Sequence, residues 1–178
     1  MTFDFLEREP DAADRERWRA ELAAPPPAVR DDGRIILFLF RIGSERFGIE
    51  PAHLDLALPA AAGHSIPHRS PALAGVVNVR GTVALCFSLA DILGSLPGPA
   101  PVSPMLLVLA HKGWRVACRV DAAEGVSGFE RSALRPPPAT LLAGARPHVK
   151  GIFPAGDNPD VAWLDAASLF TAFDAAAR

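Results

Sequence analysis

The sequence is poor in the residues from which most reactive sites are built. It has two cysteines, Cys86 and Cys118, and no Cys-x-x-Cys pair, so no thiol metal or redox motif is present. Both fall in strand-like apolar segments and are expected to be reduced, buried thiols. Lysine is almost missing: Lys112 and Lys150 are the only two, and scattered arginines supply the rest of the positive charge. With 18 basic against 20 acidic residues the formal net charge is −2, which excludes the strongly basic footprint of a nucleic-acid binder. Long apolar runs are also lacking. The longest, Ile35–Phe40 and Met105–Ala110, are far short of the roughly 20 residues a membrane-spanning helix needs. The opening Met1–Arg8 turns acidic before any apolar stretch forms, so no signal peptide and no direct membrane insertion are expected.

Catalytic motifs are sparse too. His64 and His68 are the closest pair among the five histidines, but Pro67 between them argues against a shared helical face of the His-Glu-x-x-His kind. No Gly-x-Ser-x-Gly elbow occurs. The stretch Gly75–Gly81 lacks the Gly-Lys-Ser/Thr ending of a phosphate loop and is filled with branched residues, so a strand entering a turn is the better reading. The acidic residues show no spacing that implies paired-carboxylate chemistry. No catalytic residue, metal or cofactor is therefore expected.

What is present is a succession of short hairpins. Residues 1–34 form a charge-rich extension ending in Pro25-Pro26-Pro27 and Asp31-Asp32-Gly33. A helix over 11–24 is compatible with its pattern, with Trp18 and Leu22 as a thin apolar stripe and Trp18 as a candidate anchor for a partner. From Ile35 the pattern changes to paired strands: Ile35–Ile42 with Arg46–Ile49, Gly75–Val79 with Thr82–Phe87, Met105–Ala110 with Trp114–Val120, and Val149–Phe153 with Val161–Leu164. Short, evenly spaced strands imply a mainly β barrel or sandwich. The segment Asp165–Ala177 reads as a closing helix with Asp165 as N-cap. Each half of the chain holds two hairpins, which hints at two similar subdomains.

The stretch Ile66–Leu93 resembles the CheW-like chemotaxis coupling proteins. The resemblance rests on a Pro-x-x-Pro loop, the run Gly75-Val76-Val77-Asn78-Val79-Arg80-Gly81, and a following strand. Phe40–Ile49, Val116–Val126, Val149–Phe153 and Trp163-Leu164-Asp165 are similar to other parts of that family, so the likeness spans about residues 35–173. It implies two five-stranded β-barrel subdomains packed around a shared core, with a short N-terminal helix and a C-terminal helix. It also implies a non-enzymatic cytoplasmic scaffold, recruited to membrane-associated receptor arrays. There the family couples the signalling tip of methyl-accepting chemoreceptors to the regulatory domain of a CheA-type histidine kinase. Asn78, Val79, Arg80 and Gly81 match the family's receptor-facing turn. Leu56 and Ser88 stand where the family usually carries an acidic residue. The alternative on the residues alone is a barrel that senses a small ligand, which would need a ligand-sized interior cavity.

Overall fold

The first strand, β1 (Arg34–Ile42), buries side chains on both faces: Ile35, Leu37 and Leu39 on one, Phe38, Phe40 and Ile42 on the other. A strand apolar on both sides needs cover on both sides, so it takes an interior place in its sheet. The computed structural model describes residues 33–60, 62–67, 70–95, 104–141, 143–156 and 158–178, all within a compact unit, Gly33–Arg178. The expected helix over 11–24, and Trp18 with it, lies outside the described residues.

Nine strands follow: β2 (Glu45–Ile49), β3 (Leu54–Pro59), β4 (Leu73–Val79), β5 (Thr82–Ser88), β6 (Met105–His111), β7 (Trp114–Val120), β8 (Ala122–Glu130), β9 (Val149–Phe153) and β10 (Val161–Leu164). Helix α1 (Leu89–Leu93) follows β5 and helix α2 (Ala166–Ala177) follows β10. All four expected hairpins form, as β1–β2, β4–β5, β6–β7 and β9–β10.

The strands make two five-stranded sheets, ordered β8-β1-β2-β10-β9 and β3-β6-β7-β5-β4. The two follow one pattern. Each has a single parallel contact, β2 with β10 and β5 with β7, and the other contacts are antiparallel. Each half of the chain runs hairpin, third strand, hairpin, helix. Yet the two halves do not fold side by side. The β1–β2 hairpin of the first half sits in the sheet of β8, β9 and β10, while β6–β7 of the second half sits with β3, β4 and β5. The halves exchange their first hairpins.

The expectation of barrels needs a correction of degree. The sheets curl but their ladders stay open, and each seam is pinned by one isolated bridge, His64 with Val76 and Arg135 with Ile152. Each bridge has two backbone hydrogen bonds of 2.8 and 2.9 Å. Proline explains why neither seam grows into a ladder. Pro67 follows the first bridge closely, and Pro136-Pro137-Pro138 follow the second directly, so donors for further pairing are missing.

Both seams run tightly over a glycine. Gly75 has φ +133°, and a Cβ there would lie 2.2 Å from the His64 carbonyl oxygen. At Gly151 a Cβ would lie 2.5 Å from Leu134 Cδ1 and 2.9 Å from the Arg135 carbonyl oxygen.

Curling divides the interior into three parts. Val77, Val79, Ala84, Cys86, Leu106, Val108 and Ala117 fill the hollow of the second sheet. Ile35, Leu37, Leu39, Phe153 and Val161 fill that of the first. The largest cluster lies between the sheets and includes Phe40, Phe47, Phe87, Leu107 and, from α2, Leu169, Phe170 and Phe173. The two helices are capped in corresponding ways. Ser88 Oγ accepts from the Asp91 backbone N–H at 3.2 Å, and Asp165 Oδ1 accepts from that of Ala167 at 3.1 Å. Ser88 thus meets the N-cap requirement of α1.

Candidate functional site

The corner between β4 and β5 is a two-residue loop, since Val79 pairs with Thr82 across it. Its residues, Arg80 and Gly81, have φ of +51° and +86°. Positive φ at both central positions is the mark of a type I′ turn, whose twist matches that of the flanking strands. Glycine adopts this region freely, whereas an arginine held there is strained by about 1–2 kcal/mol. Asn78 offsets that strain locally. Its Oδ1 accepts from the Gly81 backbone N–H at 2.7 Å, locking the corner from beneath. Arg80 is exposed and has no ion-pair or hydrogen-bond partner among the described residues. The geometry therefore holds a free guanidinium at the tip of a rigid hairpin.

Three of the expected site residues, Asn78, Arg80 and Gly81, thus act together, each differently: Arg80 projects, Gly81 permits the turn and Asn78 positions it. Val79 requires a correction. Its side chain is fully buried in the hollow of the second sheet, so it supports the corner from within and offers nothing to a partner. The period of two in β4 carries this signal, because Val79 shares a face with the buried Val77 and opposes the exposed Asn78.

Other features that the sequence suggested have structural roles. Asp121 Oδ2 accepts from the Gly43 backbone N–H at 2.6 Å and so closes the β1–β2 turn. Arg46 bonds Glu124 Oε2 through Nη2 at 2.7 Å and Nε at 2.9 Å, and also donates to the Pro159 carbonyl. It thereby ties β2, β8 and the β9–β10 loop together. Leu56 packs against the core of the second sheet, and Asp55 beside it pairs with Arg115 at 2.6 Å.

The reactive groups are not gathered into a centre. Among the described residues no three of His, Cys, Asp and Glu form a metal-sized group. The two thiols lie in different cores, Cys86 within the second sheet and Cys118 between the sheets. Burial raises the pKa of both, well above the ordinary range for Cys118, with Arg119 offsetting part of the shift at Cys86. Neutral thiols of this kind are poor nucleophiles. His53 and His111 meet edge to face at 5.2 Å between ring centres, a contact their distance in sequence concealed. His64 contributes its backbone to a seam, and His68 lies outside the described residues.

His148 forms a small network at the foot of α2. Its Nδ1 lies 2.5 Å from Ser168 Oγ, and that hydroxyl donates to the Pro147 carbonyl at 2.9 Å, so the imidazole N–H is the donor to Ser168. Burial lowers the His148 pKa, and Asp165 restores part of the loss. A folded pKa below the unfolded value means that the unfolded chain binds the proton more readily. The contribution of His148 to stability is complete above about pH 6.5 and is lost as the pH falls from there through the lowered value. Denaturant midpoints taken between about pH 7.5 and 5 should fall for the wild type. The fall should be smaller for His148→Asn.

Comparison with known proteins gives a consistent result. The family described as "CheW-like domain" matches residues 36–174. A curated relative, "Probable chemotaxis protein CheW" of Rhizobium etli, is 24% identical over 135 residues, covering 76% of this chain and 86% of that protein. The crystal structure of the scaffolding protein TtCheW from Thermoanaerobacter tengcongensis superposes with a TM-score of 0.68 at 17% identity, covering 80% of this chain and 91% of that one. At that identity the structural match speaks for the fold.

Proposed function

Because the chain belongs to the CheW-like domain family, we propose that it is a non-enzymatic adaptor coupling a methyl-accepting chemoreceptor to a CheA-type histidine kinase. The observation that carries this reading is the β4–β5 corner: an unpaired, exposed arginine kept in a left-handed conformation by Asn78 and Gly81. Strain of this kind persists where the surrounding structure enforces it, and it concentrates at functional sites. A guanidinium on a preformed tip can engage a carboxylate or a row of carbonyls in two directions while losing little side-chain freedom. The receptor's signalling tip is the partner we assign to this corner, and the kinase regulatory domain is assigned to other surfaces of the same unit. Work at a receptor array on the cytoplasmic side of the membrane accords with this role. Among the described residues no helix is long and apolar enough to cross a membrane.

The rival reading, a barrel that senses a small ligand, requires an interior cavity. Side chains fill the hollow of each sheet instead. Among the described residues, grooves of about 450 and 520 Å³ lie at the surface, lined by exposed and half-buried residues together with buried ones.

Arg80→Gly separates binding from folding. Glycine keeps the turn and removes the left-handed strain, so the melting temperature should stay level or rise slightly. Affinity for the cytoplasmic fragment of the cognate receptor should fall about tenfold, the loss of one charge-assisted hydrogen-bonded contact. Calorimetric titration with receptor fragment and kinase regulatory domain checks both points. Wild-type protein that binds neither partner would refute the adaptor reading.

A further inference from the structure

Arg80 is matched by a second strained cation. Lys112 has φ +48° and Gly113 φ +83° in the β6–β7 turn, where His111 pairs with Trp114 across another two-residue loop. Arg80 and Lys112 are the two non-glycine residues with positive φ among those described. Their tips lie at the same end of the second sheet, because β5 and β7 run parallel with Cys86 beside Ala117. Carried back along both strands, that register brings Val83 level with Trp114. The strand order β6-β7-β5-β4 separates the two turns by two strand spacings, about 10 Å.

Behind the two tips runs a strip in which the apolar Val83 and Trp114 lie between Asn78 and His111. Asn78 pairs with Val83, and His111 pairs with Trp114, so these four side chains face one side of the sheet across four neighbouring strands. Val83 is 70% exposed and Trp114 49%, the former being the most exposed large apolar side chain among the described residues. At the His111 end the strip continues over Phe170 of α2, 5.4 Å away between ring centres, where it meets the groove of about 450 Å³. Lys112, like Arg80, has no partner among the described residues.

We propose that Arg80, Lys112, Val83 and Trp114 form one docking strip for an acidic amphipathic helix. Resting on the adaptor reading above, the proposal assigns that helix to the receptor's signalling tip. Complementary charge and spacing select this occupant. Two turns about 10 Å apart, each carrying a cation, match two carboxylates about seven residues apart on a helix face, each residue rising 1.5 Å. Apolar side chains between those carboxylates cover Val83 and Trp114, with the tryptophan as the anchor that a helix-in-groove contact needs. Arg80 is therefore one end of the contact, and Lys112 the other.

The test is titration of the full chain with the cognate receptor's cytoplasmic fragment and, separately, with the kinase regulatory domain. Lys112→Asp keeps a residue tolerated in the left-handed region while reversing the charge. It should lower receptor affinity on the order of tenfold, with the wild-type affinity itself falling between about 0.05 and 0.5 M salt. Trp114→Gln should lower it on the order of thirtyfold. Melting temperatures should change little, since both residues are exposed, and Val83→Ser serves the same purpose if Trp114→Gln proves unstable. Kinase-domain affinity should be unchanged in all of them. If Arg80→Gly weakens receptor binding but Lys112→Asp and the strip variants bind like wild type, the two-tip strip is wrong while the adaptor reading stands. Loss of kinase-domain affinity in place of receptor affinity would equally overturn the strip's assigned occupant. Wild type that binds neither protein would defeat the adaptor reading itself.

Discussion

Gly75→Ala is expected to destabilise the protein by about 3–5 kcal/mol, combining an unfavourable backbone region with loss of the seam's hydrogen bonds. The new Cβ would sit 2.2 Å from the His64 carbonyl oxygen, a backbone atom that cannot rotate away. At φ +133° the alanine is also strained regardless of space. Relief requires His64 to withdraw, which opens the bridge to Val76 and exposes the edge of β4. That edge carries the β4–β5 corner, so the damage extends to the site. A fall in melting temperature of about 6–20 °C, at roughly 2–4 °C per kcal/mol, is the expected reading. Gly81→Ala is the control. It has positive φ as well, but a Cβ there meets open space, so the expected loss is about 1–2 kcal/mol. Equal losses at the two positions would show that the seam is not what makes Gly75 necessary.

The second large effect is expected at Phe173→Ala, on the buried face of α2. The ring is fully buried, packs on Phe87 at 4.8 Å between centres and meets Phe170 edge-on at 5.4 Å. Truncation removes apolar contact from both sheets' shared core and leaves a cavity that two β-sheets collapse into poorly, so a loss of about 3–5 kcal/mol follows. Helix α2 shares its buried face among Ala166, Leu169, Phe170 and Phe173, while Thr171 and the Asp174–Arg178 pair lie on its outer side. A double-mutant cycle with Phe87→Leu should return a coupling of about 0.5–1.5 kcal/mol, measured by urea denaturation. Additive losses would mean that the two rings do not sense each other.

The sequence spoke clearly wherever one short run of residues determines the outcome. All four hairpins were legible because glycine-containing turns, Gly43, Gly81 and Gly113 among them, interrupt branched and aromatic runs. The third strand of each half, β3 and β8, was harder. Ala122–Glu130 carries two glycines and is mostly half-buried or exposed, so it lacks the apolar pattern that marks a strand. The exchange of hairpins was not legible at all. The two buried faces of β1 say that it is interior, yet nothing in its alternation says which strand lies beside it. The site divides in the same way. Asn78, Arg80 and Gly81 fall within four successive residues and stand out together. Lys112 and Trp114 join them only through the parallel pairing of β5 with β7, a relation between segments more than twenty residues apart.

The crossed hairpins also set a schedule for the newborn chain. The β1–β2 hairpin emerges from the ribosome ahead of the other strands, yet its neighbours on both sides, β8 and β10, are made only after β3 to β7. A translating ribosome must therefore expose an unfinished edge rich in phenylalanine and isoleucine until Ala122–Leu164 has left the exit tunnel. Such an edge invites holding by chaperones and pairing with other nascent chains, so slow codons or truncations within the second half should lead to aggregates rather than to a stable half-molecule.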